Sequence, residues 1–347
     1  MQQFTIEKNE AGQRLDKFLH KYLKEASSGF LYKMLRRKNI TLNEKKADGK
    51  EQLKEGDCIC FFFSEETFNK FRGMPKKKSK TDDPMKTNSD SAIKGEYGHA
   101  FSQLKGIQVI YEDEHILLVN KPAGILSQKA DRHEPSLNEW LIGYLLDRGS
   151  IQPKQLETFK PAVCNRLDRN TSGLVICGKS LSGSQKMSEL LRERTVHKFY
   201  RTFVRGEIRE GCHVKGYLAK DERFNKVLFR DQPEDGRKDF EAVETRYFPL
   251  DCYGKMTYLE VELITGKPHQ IRAHLSHLGH PILGDAKYGD LNFNTHLSGF
   301  NPKWQLLHAY RLEFPSLEAP FEQLSGKIFI APEPEYFSRI KKTAERN

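Results

Sequence analysis

The chain reads as an α+β protein, a large unit with a mainly antiparallel mixed sheet preceded by a small α/β unit. Three observations predict this. Strand-like and helix-like runs follow one another without regular βαβ alternation, which argues against a parallel, doubly wound sheet. Residues 258–264 alternate Tyr258, Glu260 and Glu262 against Leu259, Val261 and Leu263, the pattern of a half-exposed strand. Residues 64–104 interrupt the apolar patterning, and 347 residues are too many for one small domain.

The first unit spans residues 13–63. Leu15, Phe18, Leu19, Tyr22 and Leu23 recur at helical spacing, with Asp16, Lys17, Lys21 and Lys24 on the opposite face. Ser27 or Ser28 caps a second helix whose inward residues are Leu31, Met34 and Leu35. Its outer face carries Lys33, Arg36, Arg37 and Lys38, a cluster suited to a phosphate backbone. Short strands are predicted around 40–43 and 58–63, the second entered from the turn Glu55-Gly56-Asp57. Residues 64–104 include Lys76-Lys77-Lys78-Ser79-Lys80 and a run rich in Ser, Asn and Lys. They bury too little apolar surface to offset ordering entropy and are expected to form a flexible linker.

The second unit spans residues 105–342. Ile107–Tyr111 and Ile116–Val119 read as paired strands around Glu112-Asp113-Glu114, and Asn120-Lys121-Pro122-Ala123-Gly124 as a sharp exit. Trp140, Leu141, Tyr144 and Leu145 mark one helix; Met187, Leu190 and Leu191 mark another.

Charge narrows the function. The formal net charge is +10, and residues 1–104 hold 21 Lys+Arg against 15 Asp+Glu, so the excess is densest at the N-terminal end. An acidic partner is expected, most economically nucleic acid. Six cysteines without a C-x-x-C pair are neither a zinc pattern nor a disulfide framework; they fit reduced thiols of a cytoplasmic protein. No basic start with an apolar run and no membrane-length apolar stretch is present.

The segment Asn165-Arg166-Leu167-Asp168-Arg169-Asn170-Thr171-Ser172-Gly173 places one carboxylate between two guanidiniums, which favour its charged form. Its companions are Lys121-Pro122-Ala123-Gly124, the strand Lys198-Phe199-Tyr200-Arg201, the block Thr265-Gly266-Lys267-Pro268-His269-Gln270-Ile271-Arg272-Ala273-His274-Leu275, and its tail Gly284-Asp285 through Tyr288-Gly289-Asp290. In this order they resemble the signature blocks of the RluA-type pseudouridine synthases. Residues 13–63 resemble the S-four-like RNA-binding domain through Arg14-Leu15-Asp16-Lys17-Phe18-Leu19 and Arg36-Arg37-Lys38.

The resemblance implies the pseudouridine synthase catalytic fold and isomerisation of RNA uridine to pseudouridine, with no metal and no organic cofactor. Asp168 matches the essential carboxylate, Arg272 its arginine partner, and Tyr200 the aromatic that lies against uracil. Arg166 matches the side chain that fills the space of the flipped-out nucleotide. Lys198 and His269 are second-tier RNA or fold contacts. Asn165 stands where the family usually has His, and it can donate a hydrogen bond but carry no charge. The combination of domains resembles bacterial enzymes of large-subunit ribosomal RNA, with transfer RNA as the alternative target and a monomer expected. Whether Asp168 attacks the anomeric carbon or removes a sugar proton stays open. Three rivals are set aside. A zinc enzyme built on His269, His274, His277 and His280 lacks an H-E-x-x-H motif. A glycosidase-like hydrolase needs a second carboxylate, with Asp285 and Asp290 in turns as candidates. A non-catalytic RNA-binding protein has no need of intact Arg166, Asp168, Tyr200 and Arg272.

Overall fold

A computed structural model describes residues 1–73, 89–131, 134–221, 226–233, 239–290 and 302–344, with the helix-end side chains of 89–92 and 344 left aside. The N-terminal unit contains β1 (Gln2–Thr5), α1 (Leu15–Tyr22), α2 (Ser28–Arg36), β2 (Ile40–Leu42), β3 (Lys45–Lys46) and β4 (Cys58–Phe61). The strands pair antiparallel in the order β1-β4-β2-β3. Ser27 is the cap of α2, its Oγ accepting from Phe30 N at 3.3 Å. Leu15, Phe18, Leu19, Leu31, Leu35, Ile40, Ile59 and Phe61 form the core. Asp16, expected on the outer face of α1, is instead buried; Arg14 and Tyr32 both donate to it, at 2.7 and 2.9 Å.

The stretch expected to be a linker contains two helices, α3 (Glu65–Arg72) and α4 (Ser89–Gln103). Phe68 of α3 packs against Tyr22 and Phe61, so this helix completes the N-terminal core. α4 lies against α5 (Leu137–Asp147), with Tyr97 and Ala100 buried and Phe101 beside Trp140. The approach depends on Gly143, where a Cβ would sit 2.3 Å from the Tyr97 carbonyl oxygen. The helix is weakly amphipathic and glycine-containing, so its stability comes from docking rather than propensity, which is why its sequence reads as a linker. The lysine run 76–78 lies outside the described residues.

The larger unit adds β5 (Gln108–Glu112), β6 (Ile116–Lys121), β7 (Ala162–Val163), β8 (Ser172–Gly178), α6 (Leu181–Glu193), β9 (His197–Arg205), β10 (Cys212–Asp221), β11 (Lys226–Arg230), β12 (Glu241–Tyr253), β13 (Met256–Leu263), α7 (Gln270–His277), β14 (Leu307–Glu313), β15 (Ile328–Ile330) and α8 (Glu335–Ala344). The sheet runs β11-β10-β12-β13-β9-β14-β8-β6-β5, with β15 on β14 and β7 on β8. Its described pairings are antiparallel except β8 with β14. That parallel contact requires Gly173, whose φ is +116° and whose absent Cβ would lie 2.2 Å from the Ala309 oxygen.

One sheet face, with Leu117, Val119, Val175, Tyr200, Val204 and Val261, forms the main core with α5 and α7. On the opposite face Ile116, Leu118, Leu174 and Ile176 pack against α6. β13 is central, not half-exposed: Tyr258 and Glu262 are buried. Its glutamates are compensated across the strands, Glu260 by Arg201 at 2.9 Å and Arg311 at 3.1 Å, Glu262 by Arg246 at 3.0 Å. Alternating charge therefore marks a paired face here rather than a solvated one.

The two units touch. Glu10, almost fully buried, accepts from Thr158 Oγ1 at 2.5 Å, Gln155 donates to Glu7 at 3.2 Å, and Arg72 pairs with Glu157. Among the described residues no helix is long and apolar enough to cross a membrane.

Candidate active site

Asp168 sits in the loop joining β7 to β8, at a cleft of about 780 Å³ lined also by Arg166, Lys198, Tyr200, His269 and Arg272. A cleft of this volume accommodates a nucleotide. The loop is held by its backbone from the Pro122–Leu126 exit of β6. Ser127 Oγ donates to Leu167 O and accepts from Leu167 N, at 2.9 and 3.0 Å, and Gly124 N donates to Arg169 O at 2.9 Å. Lys121, fully buried, donates from Nζ to the carbonyls of Pro122, Ile125 and Arg169 at 3.0, 2.9 and 3.1 Å. Those three acceptors match the three protons of an ammonium. Burial pulls its pKa down to about 7, against the opposing charge of Asp168. The lysine that reads as a turn-shaping residue in sequence is thus the hub of the loop that carries Asp168.

Across the cleft, α7 begins at Gln270, a buried side chain that donates to Glu244 O at 3.0 Å and Thr245 Oγ1 at 2.9 Å and accepts from Thr265 at 2.8 Å. With α7 so anchored, Arg272 Nη1 donates to Asp168 Oδ2 at 2.8 Å. The other edge of the guanidinium donates to Asp285, Nε to Oδ2 at 2.7 Å and Nη2 to Oδ1 at 2.9 Å. Burial works against the Arg272 charge, but Asp285 and Asp168 more than offset it and raise its pKa. Burial likewise acts on Asp285, yet Arg272 and the amides of Lys287 and Tyr288 keep its carboxyl below the usual range. Asp285 is sealed and committed to Arg272, so it does not serve as the second working carboxylate of a hydrolase. Asp168, with a side chain 28% exposed, stays open to a ligand.

Tyr200 lies on β9 with Lys198 and Thr202 on the same face. Burial, then the charge of Asp168, raises its phenol pKa, so the hydroxyl keeps its proton. Lys198 is buried in the same wall, its pKa lowered by burial and by Arg194. His269 has a left-handed backbone, φ 55°, ahead of α7. Its Nδ1 is 2.9 Å from Tyr288 Oη and its Nε2 3.8 Å from Asp168. Burial lowers its pKa while Asp168 opposes, favouring a neutral ring.

Some expectations change. The guanidiniums flanking Asp168 in sequence are not its described partners: Arg169 is bidentate on Glu134 at 2.8 and 2.7 Å, and Arg166 is exposed at the rim. Successive residues of the loop point apart, and the partner comes from a helix 104 residues on. Asn165 uses its side-chain oxygen to accept from Ile176 N at 2.7 Å, fixing the loop to β8 instead of presenting that atom to a ligand. Lys33, Arg36, Arg37 and Lys38 are not part of the cleft; they lie exposed on and just after α2. The histidines do not gather into a metal-holding group among the described residues: His274 and His277 both pack on Phe229, at 4.3 and 4.8 Å, with His277 near Asp231, while His280 contacts Arg205 O and His269 faces the cleft. In sequence Asp285 reads only as a turn residue and a rival hydrolase's carboxylate, and Tyr288 only as part of the last block's tail; neither is expected beside Arg272. A Gly-Asp turn has no chemical signature until the fold brings it to Arg272.

The profile of the RNA pseudouridylate synthase family matches residues 115–277, which include Asp168, Tyr200 and Arg272. A ribosomal large subunit pseudouridine synthase C from Pasteurella multocida is 30% identical over 322 residues, 89% of this chain and 85% of that protein. A protein of the same name from Vibrio parahaemolyticus is 28% identical over 338 residues, 94% of each chain. The solved structure of human RNA Pseudouridylate Synthase Domain Containing 4 shares the fold, with a TM-score of 0.58, 21% identity, and coverage of 72% of this chain and 97% of that one. With a mixed-sheet fold, an accessible carboxylate paired to a helix arginine, and this similarity over nearly its whole length, the chain belongs to the RNA pseudouridylate synthase family, isomerases that convert uridine in RNA to pseudouridine.

Proposed function

We propose that this protein isomerises uridines of large-subunit ribosomal RNA and that Asp168 is the carboxylate that acts on the substrate ribose. The observation that carries the assignment is Asp168 itself: an accessible carboxyl in a nucleotide-sized cleft, with one oxygen oriented at 2.8 Å by an arginine that is in turn locked by a sealed aspartate. The reaction breaks the bond between N1 of uracil and C1′, turns the base and joins C5 to C1′; the C5 proton is lost and N1 takes one up, so the product is an isomer of the substrate. Asp168 either attacks C1′ or removes a sugar proton, and both routes need its carboxyl held in place, which Arg272 does through a charge-assisted hydrogen bond.

The target nucleotide leaves its stack to reach the cleft. Tyr200 lies against the uracil, where base–aromatic stacking is worth about 1–3 kcal/mol. As a neutral phenol its hydroxyl can accept or relay the C5 proton only in concert with another group. Arg166, exposed at the rim, takes the space the nucleotide leaves. Lys198 and His269 support the substrate from the wall, while Asn165 contributes through the loop geometry.

Residues 13–63 act as an RNA-binding domain through Lys33, Arg36, Arg37 and Lys38, and residues 105–342 as the catalytic domain. The large-subunit target rests on the names of the relatives that match nearly all of the chain. The protein works as a monomer in the cytoplasm, without metal or organic cofactor. Mapping pseudouridine in total RNA from cells lacking this protein, with and without a copy carrying Asp168→Asn, tests the assignment. Sites lost from large-subunit ribosomal RNA and not restored by the variant are expected. Loss confined to transfer RNA would replace the target, and restoration by Asp168→Asn would remove Asp168 from the chemistry.

A further inference from the structure

Arg272 borders a second cavity, of about 420 Å³, whose walls include Asn170, Lys226, Lys287, Lys303 and Trp304. Its chemistry is lopsided. The two carboxylates near its entrance are both engaged by Arg272, and Asp285 is sealed. Lys226 lies 5.7 Å from the Tyr288 ring centroid and Lys303 4.8 Å from that of Trp304, so each is backed by an aromatic face and, among the described residues, not by a carboxylate. Lys287 follows Asp285 by two residues, and its amide donates to Asp285 Oδ1 at 2.9 Å, which fixes the turn that carries it. Burial and then the charge of Arg272 push the Lys287 pKa down, with Lys226 adding to this and Asp168 and Asp285 only partly opposing it. Cations gathered this closely repel one another until an anion enters among them.

A polar group is also left over. The side-chain oxygen of Asn170 is buried without a hydrogen-bond partner in the wall of this cavity. Asn170 is two residues from Asp168, and Arg272 touches both spaces, so an anion held here lies beside whatever the cleft holds.

We infer that this cavity receives a phosphodiester of the RNA strand immediately flanking the nucleotide in the cleft, with Lys226, Lys287 and Lys303 donating to its oxygens. The strand then passes over Arg272, so the group that orients Asp168 also faces the substrate backbone. A phosphate caught here sets the position of the ribose relative to the carboxylate, which is where such chemistry is most sensitive to placement. The inference rests on RNA being the substrate, as proposed above.

Filter binding of the full chain to a transcript of large-subunit ribosomal RNA, between about 50 and 200 mM KCl, tests it. Lys226→Gln, Lys287→Gln and Lys303→Gln are each expected to weaken binding about fivefold at low salt and to flatten the slope of log affinity against log salt by about 0.7, the share of one phosphate contact. Lys287→Arg should keep the slope. Lys186→Gln, on α6 and paired with Glu189, is the control for loss of charge elsewhere. Unchanged slopes in the three variants overturn the inference, as does an equal flattening in Lys186→Gln, or weaker binding with the wild-type slope. The three lysines lie on separate segments, so a variant that fails to fold leaves the other two to decide. The readout is binding alone. Failure to form pseudouridine would count against the proposed activity, and an unchanged salt slope against the phosphate site.

Discussion

On and just after α2 of the N-terminal unit Lys33, Arg36, Arg37 and Lys38 stand exposed, whereas Lys121 and Arg272 of the larger unit are buried with their protons committed to named acceptors. The residue types are the same, but their energetics differ. An exposed cation keeps its hydration and offers a sequence-independent, salt-sensitive attraction to phosphate. A buried cation has lost that hydration and is tolerated only where acceptors replace it, so it fixes geometry and resists substitution. Positive charge in the first region is a grip that can be weakened by degrees. In the second it is a scaffold that breaks.

Substitutions in the scaffold should then act on turnover or stability, and substitutions on α2 on affinity. The largest effect is expected from Asp168→Asn, which keeps the shape and removes the charge. Single-turnover pseudouridine formation should fall by at least about 10⁴-fold, the scale for loss of a working nucleophile or base, with RNA affinity retained. Residual turnover within tenfold of wild type would end the catalytic assignment. Asp285→Asn tests the scaffold behind it. Losing the charged partner of Arg272 should lower the single-turnover rate about 10²-fold through misplacement and reduce stability by about 3 kcal/mol. If only stability changes in urea denaturation, Asp285 supports the fold without positioning Asp168.

Lys121→Met leaves three carbonyls without their donor in a buried site. A loss of about 3 kcal/mol in urea denaturation is expected. Acid should distinguish the two regions as well. His274 and His308 are buried in the larger unit, and burial lowers the pKa of each to about 4. Unfolded, both rings take a proton near pH 6.5. Between these values the unfolded chain binds more protons, so stability present above pH 6.5 is lost as pH falls toward 4. The loss should be about 2 kcal/mol for each ring between pH 7 and 5, seen in denaturation midpoints and reduced in His308→Gln. The smallest effects belong to α2: Lys33→Ala and Arg36→Ala should each weaken ribosomal RNA binding about fivefold and flatten its salt dependence. Large losses of stability there would erase the distinction between grip and scaffold.

Legibility from sequence follows the same division. The α2 cations could be read directly, since exposed residues at helical spacing need no distant partner to be recognised. Asp168, Tyr200 and Arg272 were visible through the order of their blocks, and the geometry brings all three to one cleft. The flanking arginines misled because adjacency along a loop does not mean contact: Arg169 turns to Glu134 while Arg272 arrives from α7. α4 was missed because its residues are poor helix formers, and only Gly143 of α5 lets it dock.

Composition, periodicity and motif order were enough to specify the mixed architecture, the basic helix and the acidic residue on which the chemistry is proposed to turn. Motif order also pointed to Arg272 as its partner, which lies on its oxygen; tertiary structure alone settled what stands behind the pair, Lys121 beneath the loop and Asp285 behind the arginine. The reason is physical. Local patterns record which residues seek water or apolar neighbours, and a buried charge takes its identity from acceptors contributed by segments tens of residues away, which meet only when the chain has folded.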